Sequence, residues 1–561
     1  MEKFKSLLNK TNNYILKNKL IYLSAVAIVF IICIPFMQKE FIISEDWEYH
    51  MARIQSITDS LKLGIFPVKI HYSMATTYGY ASGIFYPNLF LYFPAILNMI
   101  TSNIIISYYI FIAVMLFIMF AIVYKSLLSV TEDRKLSILG TALIMLSKAL
   151  ILNLHDRFAL GEFLGYIFIT PIIAGLYNYV YKDFDKPYLL VIGFLGVLNT
   201  HIITTFICTA FSILYFIINI KSTIKNPKKL LKLLICVFIV LTMSIAFWAP
   251  LIEQYFAQDL KLTEPWTDIA EDTYTVVELL GIHKYSIGIV ITMCIPFIMY
   301  ALFDKNISNK NGMKQMAILG LIIMSLMPLN IFWDYTQAIT NTIQFKWRLI
   351  GISTIVLIIP TIMFIKEYAE NNKIKVDYII IPILIVTYIV AIINIYSVSH
   401  GKPTVKLDYL NTILNKTDAS LGGGKEYLPL ETRLSYLLFP NTVKTDIGTE
   451  YMIEKNGLSC KFLIPENLNI KTVDVPFIYY KGYTANITTK DSQIIPLNLY
   501  KNETTGIVKV FIPDGLSGEV SVWYDKTIIQ KTSYVISFIS DICVVVFYVI
   551  YKIKNKKKLL I

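Results

Sequence analysis

Three ionisable residues near the start of the chain are spaced so that they can act together. Asp46, His50 and Arg53 lie four and three positions apart in ISEDWEYHMARIQSITDSLKLG, so they share one face of a helix. Apolar residues of this segment also recur at helical spacing, which predicts an amphipathic helix on a membrane surface. A carboxylate beside an imidazole under membrane helices is a candidate general base, since partial desolvation tunes its pKa. The alternative is a solvated helix face with an acidic N-terminal cap.

A second polar group lies in NLHDRFALGEFLG, between two apolar runs. His155, Arg157 and Glu162 occur there in a turn too short to form a domain. An arginine at the membrane boundary suits a phosphate or a carboxylate ligand, because its planar fork binds both oxygens. The alternative is an arginine that anchors the chain to lipid headgroups.

A third group lies in IQFKWRL, at the start of another apolar run. Gln344, Lys346 and Arg348 surround a tryptophan there. We place this group on the face of the membrane whose short loops hold few cations, so two cations here are unexpected. A phosphate clamp would explain the energetic cost of placing them there. Snorkelling of long cationic side chains at the interface is the alternative.

Further candidates are a histidine and several aromatic residues. His201 interrupts an apolar stretch in the sequence NTH, and helices broken at membrane depth often line a cavity, although a simple turn residue would look the same. Tyr80 and Tyr86 belong to an aromatic-rich segment that can stack on sugar faces or form an interfacial belt. Glu45 and Arg53, beside the first acidic motif, are also assigned to substrate binding.

Composition places the chain in a membrane. Of its 561 residues, 55% are hydrophobic and only 16% are charged, whereas soluble domains carry about 25% charged residues. Collagen, disordered tails, disulfide-rich miniproteins and cytosolic nucleotide enzymes are excluded on these figures. Since a crossing helix needs about 20 apolar residues, we predict twelve spans. They run Leu20–Met37, Ile104–Tyr124, Leu136–Leu154, Phe163–Tyr181, a broken pair within Tyr188–Ile220, Leu233–Pro250, Ser286–Phe303, Met316–Trp333, Leu349–Ile365, Tyr378–Tyr396 and Tyr534–Tyr551.

The distribution of lysine and arginine sets the predicted orientation. Cations near the ends of spans are retained on the cytoplasmic side, and alternate loops of this chain are rich in lysine. Both termini are therefore predicted to be cytoplasmic. The short loops of the opposite face hold only Arg157, Lys261, Lys284, Lys346 and Arg348.

The same test assigns the apolar stretch Ile84–Ile100, which contains two prolines. Counting it as a span would place the next lysine-rich loops outside, so we interpret it as a helix on the outer membrane face. The first external loop then covers residues 38–103, within a transmembrane core of residues 1–396.

The second external region has a different pattern. Residues 397–533 alternate apolar and polar side chains between Gly and Pro residues, as in GIVKVFIPDGLSGEVSVWYD, which is typical of strands and turns. We predict an extracytoplasmic β-sandwich-like domain there. Residues 534–561 supply a final span and a basic cytoplasmic tail.

The order of these features resembles the GT-C superfamily of membrane glycosyltransferases. An acidic motif follows the first span, and a long external loop, a multi-span core and an external C-terminal domain come after it. More narrowly, EDWEYHMARI with LGIFP, YGYASGIFYPNLFLYFPAI, HDRFALGE, IQFKWR, KEYLP and VPFIYYKGY resemble the bacterial YfhO-like proteins and the membrane family labelled 6-pyruvoyl-tetrahydropterin-synthase-related. The matches are scattered over almost the whole chain. The usual QFPWR of the family is QFKWR here.

The resemblance implies a transferase that uses a polyprenyl-phosphate-linked sugar. It places Asp46 at the active site, as the base on an acceptor hydroxyl or as a metal ligand. We assign His50 as the orienting neighbour of Asp46, and Arg157, Arg348 and Lys346 to the lipid phosphate. Positioned cations can stabilise a phosphate that leaves as an anion. No cofactor is assigned, and a divalent metal stays open.

Two other functions stay open. A transporter or flippase of a lipid-linked saccharide would also use buried cations and a broken helix pair, although we find no inverted repeat of the kind that many transporters show. A non-catalytic scaffold could bind cell-wall polymers through the β-rich region. The expected partners are membrane lipid, a lipid-linked sugar and a cell-envelope acceptor, with no nucleic acid. The Lys, Ile and Asn bias indicates a bacterial plasma membrane.

Overall fold

The computed structural model describes residues 18–38, 40–261, 269–271, 274–281, 283–307, 312–414 and 418–558. Most of the described chain is helical, and strands concentrate near its C-terminal end. The helices are Lys19–Cys33, Trp47–Lys62, Ser82–Phe85, Tyr92–Thr101, Ile104–Thr131, Arg134–Met145, Lys148–Ile151, Leu160–Tyr181, Tyr188–Leu198, Ile202–Ile218, Ile220–Ile224, Pro227–Met243, Ile245–Ala257, Val276–Leu280, Ile289–Phe303, Met313–Leu326, Asn330–Thr340, Leu349–Asn371, Asp377–Ser399, Leu407–Ile413 and Ile528–Lys558.

Within the described ranges, six helical segments are long and apolar enough to cross a membrane. Three bent helix pairs raise that number to nine if each pair is one span. The twelve predicted spans are therefore not confirmed, and the N-terminal segment before Asn18 lies outside the described residues. The six segments are Lys19–Met37, Ile104–Thr131, Leu160–Tyr181, Lys346–Asn371, Asp377–Ser399 and Ile528–Ile550.

The bent pairs differ from the straight spans that hydropathy predicts. Pro227–Met243 and Ile245–Ala257 meet at 67°, and Met313–Leu326 and Asn330–Ile343 meet at 90°. Hydropathy reports only how apolar a segment is, so it misses a change of direction inside an apolar run. A third pair, bent by 44°, ends at Asp156 and leads directly into Arg157.

The predicted break within Tyr188–Ile220 is present. Helices Tyr188–Leu198 and Ile202–Ile218 are separated by a turn, and His201 caps the second helix by accepting a hydrogen bond from the backbone N–H of Thr204 at 3.3 Å. Helices of 11 and 17 residues are short for full crossings.

The predicted amphipathic helix after the first span runs Trp47–Lys62. Five consecutive residues, His50–Ile54, are buried, and because they exceed one helical turn they cover the whole circumference. The helix is therefore packed inside the protein, which differs from the predicted position on a membrane surface. The following apolar stretch is not one helix, since Ser82–Phe85 and Tyr92–Thr101 are separated by the Tyr86–Asn88 turn and a single 3₁₀ turn. Pro87 lacks an N–H and its ring fixes φ, which accounts for the interruption at this turn.

The C-terminal strands form two antiparallel sheets of five strands each. One has the order β10-β11-β7-β3-β4 and the other β5-β6-β12-β8-β9. Buried and exposed side chains alternate along β6 and β8, so their sheet buries one face, as in a β-sandwich. The strands are β3 Thr442–Thr445, β4 Glu450–Met452, β5 Lys455–Asn456, β6 Ser459–Ile464, β7 Thr472–Ile478, β8 Tyr483–Thr488, β9 Ile494–Leu497, β10 Leu499–Lys501, β11 Ile507–Phe511 and β12 Gly518–Tyr524.

A further two-stranded ladder joins early and late parts of the chain. Strand β1, Phe41–Ile42, pairs antiparallel with β2, Thr404–Val405. The Ile43 N–H extends the contact by donating to the Pro403 carbonyl at 2.9 Å. The segment that leads to Asp46 is thereby held against the chain that follows helix Asp377–Ser399.

Candidate active site

Asp46 lies at the junction of two segments that are distant in sequence. Its backbone N–H donates to the Arg157 carbonyl at 2.9 Å. Asp46 is the N-cap residue of helix Trp47–Lys62, yet its side chain makes no capping hydrogen bond. Aspartate at this position commonly accepts a bond from the first turn. The carboxylate is therefore left for another use, against the capping interpretation.

The Asp46 carboxylate has no ion-pair partner within 4.0 Å among the described residues. The Asp46 side chain is exposed to solvent, but protein atoms occupy most of the space around its carboxylate. This desolvation raises the pKa of Asp46, an effect opposed first by Arg157 and reinforced by Glu45. A carboxylate whose pKa moves toward neutrality is a stronger base than an ordinary one.

Arg157 and Arg348 meet at one buried carboxylate. Arg157 Nη1 donates to Glu162 Oε2 at 2.9 Å, and Arg348 Nε lies 3.6 Å from the same oxygen. Asn153 completes the cluster by donating to Glu162 Oε1 at 3.2 Å. The Glu162 side chain is only 4% exposed. The structure thus brings the second and third predicted groups together, with Glu162 as the counter-ion of both arginines.

Trp347 forms an aromatic floor beneath these arginines. The Arg157 guanidinium carbon lies 4.0 Å from the Trp347 ring centroid. Tyr285 stacks on the same ring system at 4.7 Å with an interplanar angle of 11°, and Phe345 stacks at 5.3 Å. Stacked aromatic rings and an overlying guanidinium fix one another in place.

A chain of charges extends from this cluster through Glu45, Lys284 and Asp156. Lys284 Nζ lies 2.7 Å from both Glu45 Oε1 and Asp156 Oδ2. Asp156 also pairs with Lys402, and Glu45 Oε2 lies 3.8 Å from Arg157 Nε. The Glu45 side chain is 48% exposed, so water screens both of its ion pairs. Its 3.8 Å contact with Arg157 is the weaker one, because its contact with Lys284 is shorter, at 2.7 Å.

His50 and Arg53 line a small internal cavity. The cavity has a volume of about 10 Å³ and is lined by both residues together with Tyr86, Gly161 and Thr200, which is room for about one water molecule. In the described part of the chain, no side-chain hydrogen bond joins His50 to Asp46. Burial lowers the pKa of His50 well below its usual value, with a contribution from Arg53, so the imidazole is neutral.

Arg53 binds the turn that interrupts the second surface helix. Its Nη2 donates to the Pro87 carbonyl and to Asn88 Oδ1, both at 2.7 Å, and its guanidinium carbon lies 4.4 Å from the Tyr86 ring centroid. The residue is 1% exposed. These contacts position Tyr86 and leave Arg53 with a structural role in this state.

Tyr86 also sets a requirement on the facing helix. A Cβ atom built on Gly161 would lie 2.0 Å from the Tyr86 hydroxyl oxygen. Glycine at position 161 therefore allows the ring to pack against helix Leu160–Tyr181. Burial raises the pKa of Tyr86, so its hydroxyl stays protonated.

Three of the predicted residues lie in the surrounding layer. His201 Nδ1 lies 2.8 Å from Thr204 Oγ1, and burial lowers the pKa of His201 to about 3. His155 is buried with its ring centroid 5.2 Å from that of Phe36. The Tyr80 hydroxyl donates to the Leu421 carbonyl at 3.1 Å.

The third predicted group divides between two locations. Gln344 Oε1 accepts from Arg348 Nη1 at 2.5 Å, which holds the guanidinium beside Glu162. Lys346 is fully buried, with Nζ donating to Asn330 Oδ1 at 3.0 Å and lying 5.8 Å from the Trp333 ring centroid. The structure therefore brings Gln344 and Arg348 to the Arg157 cluster and directs Lys346 toward another helix.

Glu426 is a site residue that sequence reasoning missed. Burial raises its pKa, and Asp46 and Arg348 are among the charges that act on it. The KEYLP motif contains this residue, but nothing in the sequence placed it beside Asp46. Its approach depends on contacts between the surface helices and a late loop, which no local pattern reports. In the described part of the chain, no three or more His, Cys, Asp or Glu residues group as a metal site would require.

This chain shows only limited similarity to known proteins. No family model matches the chain, so the narrower family resemblances stay predictions. An uncharacterised protein of Lactococcus lactis subsp. cremoris (strain MG1363) is 26% identical over 240 residues, which cover 41% of this chain and 39% of that protein. The chain thus spans well under half of that relative.

Two solved chains are similar to part of this chain. A cryo-EM structure of the arabinofuranosyltransferase AftD from Mycobacteria is 10% identical, with a TM-score of 0.46, over 68% of this chain and 27% of the AftD chain. A second cryo-EM structure, of an AftD mutant, has a TM-score of 0.45 over 67% of this chain. The chain spans about a quarter of AftD.

Proposed function

We propose that this chain is a membrane glycosyltransferase that moves a sugar from a polyprenyl-phosphate-linked donor to an acceptor outside the cytoplasm. One observation carries the proposal. The Asp46 carboxylate is free of ion pairs among the described residues and has a raised pKa, while the Arg157 and Arg348 cluster lies beside it. A free base next to an anion-binding group is what transfer from a phosphate-linked donor requires.

The donor phosphate binds on the arginine side of Asp46. The 3.8 Å contact between Arg157 and the half-exposed Glu45 is the weakest link of the charge network, so a phosphate oxygen replaces Glu45 there. Lys284, 2.7 Å from Glu45, then also faces the phosphate. Trp347 holds the Arg157 guanidinium in its orientation during this exchange.

The transfer step uses Asp46 as general base. The acceptor hydroxyl oxygen forms a bond to the anomeric carbon as the bond from that carbon to the phosphate oxygen breaks. The hydroxyl proton passes to Asp46, and the bonding electron pair leaves with the polyprenyl phosphate. The positive charges of Arg157, Arg348 and Lys284 stabilise the leaving anion, so no proton donor is needed on that side.

The proposed orientation follows the positive-inside rule. Both termini face the cytoplasm, and the segment that contains Asp46, the site cluster and the C-terminal sheets face outward. A lipid-linked sugar then reaches the site from the plane of a bacterial plasma membrane. The proposed domain division is a transmembrane core to residue 396, the sheet region to 533 and the last helix beyond it.

The test is sugar transfer by purified protein in nanodiscs, with a panel of polyprenyl-phosphate sugars. The D46N variant is compared with D491N, which changes an exposed carboxylate near the C-terminal sheets. We expect transfer by the wild type and by D491N, and loss of transfer of at least a hundredfold in D46N.

Three results would overturn the proposal. Full transfer by D46N would remove Asp46 as base. No transfer by the wild type, combined with movement of the lipid-linked sugar across vesicle membranes, would assign the chain to transport instead. Binding of wall polymer without transfer or movement would favour a scaffold.

A further inference from the structure

A loop near the C-terminal sheets reaches the proposed site. This acceptor loop, defined as residues 420–428, packs on the first external loop through Tyr80, whose hydroxyl donates to the Leu421 carbonyl, and through Phe85, whose ring stacks on Tyr427 at 5.1 Å. The Tyr480 hydroxyl donates to the Tyr427 carbonyl at 2.9 Å. The loop is thus held on both sides.

The exit of the acceptor loop is also fixed by backbone contacts. The Lys261 N–H donates to the Leu428 carbonyl at 2.8 Å, and the Leu430 N–H donates to the Asp259 carbonyl at 3.1 Å. A segment paired on both sides has little freedom to move. The side chains that it presents to Asp46 therefore have defined positions.

Glu426 is the charged side chain that this loop contributes to the site. Its carboxylate has no ion-pair partner within 4.0 Å among the described residues. Burial raises the pKa of Glu426, and the charge of Asp46 adds to this rise. Burial also raises the pKa of Tyr49 and of Tyr80, with a contribution from the charge of Glu426. A Cβ atom built on Gly422 would lie 3.7 Å from both the Glu426 carboxylate and the Tyr49 ring. Gly422 therefore lies close to both groups.

The site combines charges of both signs. Arg157 and Arg348 attract a phosphate, whereas the Glu426 carboxylate, which has no ion pair among the described residues, repels one. A carboxylate in a loop that packs near Tyr49 and Tyr80 suits a sugar, because its oxygens accept hydroxyl hydrogen bonds while aromatic rings cover apolar sugar faces. These properties match an uncharged acceptor.

We propose that Glu426 binds hydroxyl groups of a neutral saccharide acceptor and thereby sets the acceptor specificity of the enzyme. This inference rests on the proposed transferase activity. Asp46 takes the proton of the reacting hydroxyl, and Glu426 accepts a hydrogen bond from a neighbouring hydroxyl of the same sugar. An anionic acceptor is excluded because its charge would face Glu426.

The experiment compares two synthetic acceptors that carry the same lipid chain, one ending in glucose and the other in glucuronic acid. Wild type, E426Q, E426D and E450Q are assayed in nanodiscs with whichever donor the wild type uses. Glu450 is an exposed carboxylate on β4 and serves as the matched control.

We expect E426Q to raise the KM of the glucose acceptor about tenfold, with a much smaller effect on kcat, since a hydrogen bond to a charged group is lost. We also expect E426Q to narrow the preference for the glucose acceptor over the glucuronic acid acceptor. E426D should recover part of the affinity. Unchanged acceptor KM and preference in a folded, active E426Q protein would overturn the inference, whereas absence of transfer by the wild type would overturn the proposed function instead.

Discussion

Arg157 lies over Trp347, with its guanidinium carbon 4.0 Å from the ring centroid, while its Nη1 donates to Glu162 at 2.9 Å. The ring and the carboxylate together restrict the position of the guanidinium. Its Nε lies 3.8 Å from Glu45, whose side chain is 48% exposed. The buried groups thus hold the arginine, and Glu45 is the residue that the donor phosphate replaces in our proposal.

Loss of the Trp347 ring should weaken donor binding. We expect W347A to raise the donor KM about tenfold, because the cation–π contact and the stacking with Tyr285 are both lost. W347F should retain part of the effect. Initial rates at varied donor concentration measure this, with W523A, on β12, as the control. An unchanged donor KM in W347A would contradict the role of this floor.

Removal of the Glu162 charge, which two arginines share, should mainly lower the stability of the protein. We expect E162Q to lower the free energy of unfolding by about 3–5 kcal/mol, since two buried arginines lose their carboxylate. The control is E132Q, which breaks a pair in which the glutamate is 72% exposed and should have little effect. Thermal unfolding in detergent compares them. A fully stable E162Q would mean that Glu162 faces substrate instead.

The Gly161 position should not tolerate a methyl group. We expect G161A to destabilise the protein by about 1–3 kcal/mol and to reduce transfer, because its Cβ would lie 2.0 Å from the Tyr86 hydroxyl oxygen. G165A, one turn further along the same helix, is the matched control, since its nearest atom lies at 3.3 Å. Equal melting temperatures for the two variants would show that Tyr86 can move freely.

The acid limb of the pH profile should report Asp46. Its pKa is raised, so kcat/KM should begin to fall at a higher pH than for an ordinary aspartate. The negative charge of Glu45 contributes to that rise, so E45Q should lower the pKa of Asp46 and move the acid limb to lower pH. Rates measured from pH 4 to 8 test this, with E450Q as control. A shift in the opposite direction would exclude Asp46 as the titrating base.

The same desolvation predicts a stability gain on neutralising Asp46. Because the folded protein raises the pKa, it disfavours the ionised carboxylate above the ordinary aspartate pKa, and this penalty disappears as the pH falls below that value. D46N should therefore be inactive yet slightly more heat-stable than the wild type at pH 7, and the difference should vanish near pH 3. A less stable D46N at pH 7 would contradict the sign.

The sequence contains the local parts of this site but not their arrangement. Helical spacing predicts the helix Trp47–Lys62, and alternation predicts strands near the C-terminal end, because both are short-range patterns. His50 shares a helix with Asp46, but its ring lines the cavity with Arg53 and Tyr86.

Long-range contacts account for what sequence reasoning missed. Glu426 lies in a loop whose position depends on Tyr80, Phe85 and Tyr480. Likewise, Lys346 and Arg348 are two positions apart in a 3₁₀ turn. Lys346 donates to Asn330, whereas Arg348 lies beside Glu162. In the described chain, the twelve predicted spans correspond to six long helices, three bent pairs and three shorter helices, Tyr188–Leu198, Ile202–Ile218 and Ile289–Phe303. Hydropathy registers neither the bends nor the early ends of these shorter helices.

The ladder between β1 and β2 joins segments that are synthesised at very different times. Thr404 bonds Glu40 across 364 positions of sequence, and Glu426 arrives still later in the chain. A ribosome therefore synthesises Asp46 long before Thr404 and Glu426 exist. The environment of the carboxylate is completed only when the late segments pair with the early ones. Assembly of the complete site is thus among the last events in the synthesis and folding of the protein.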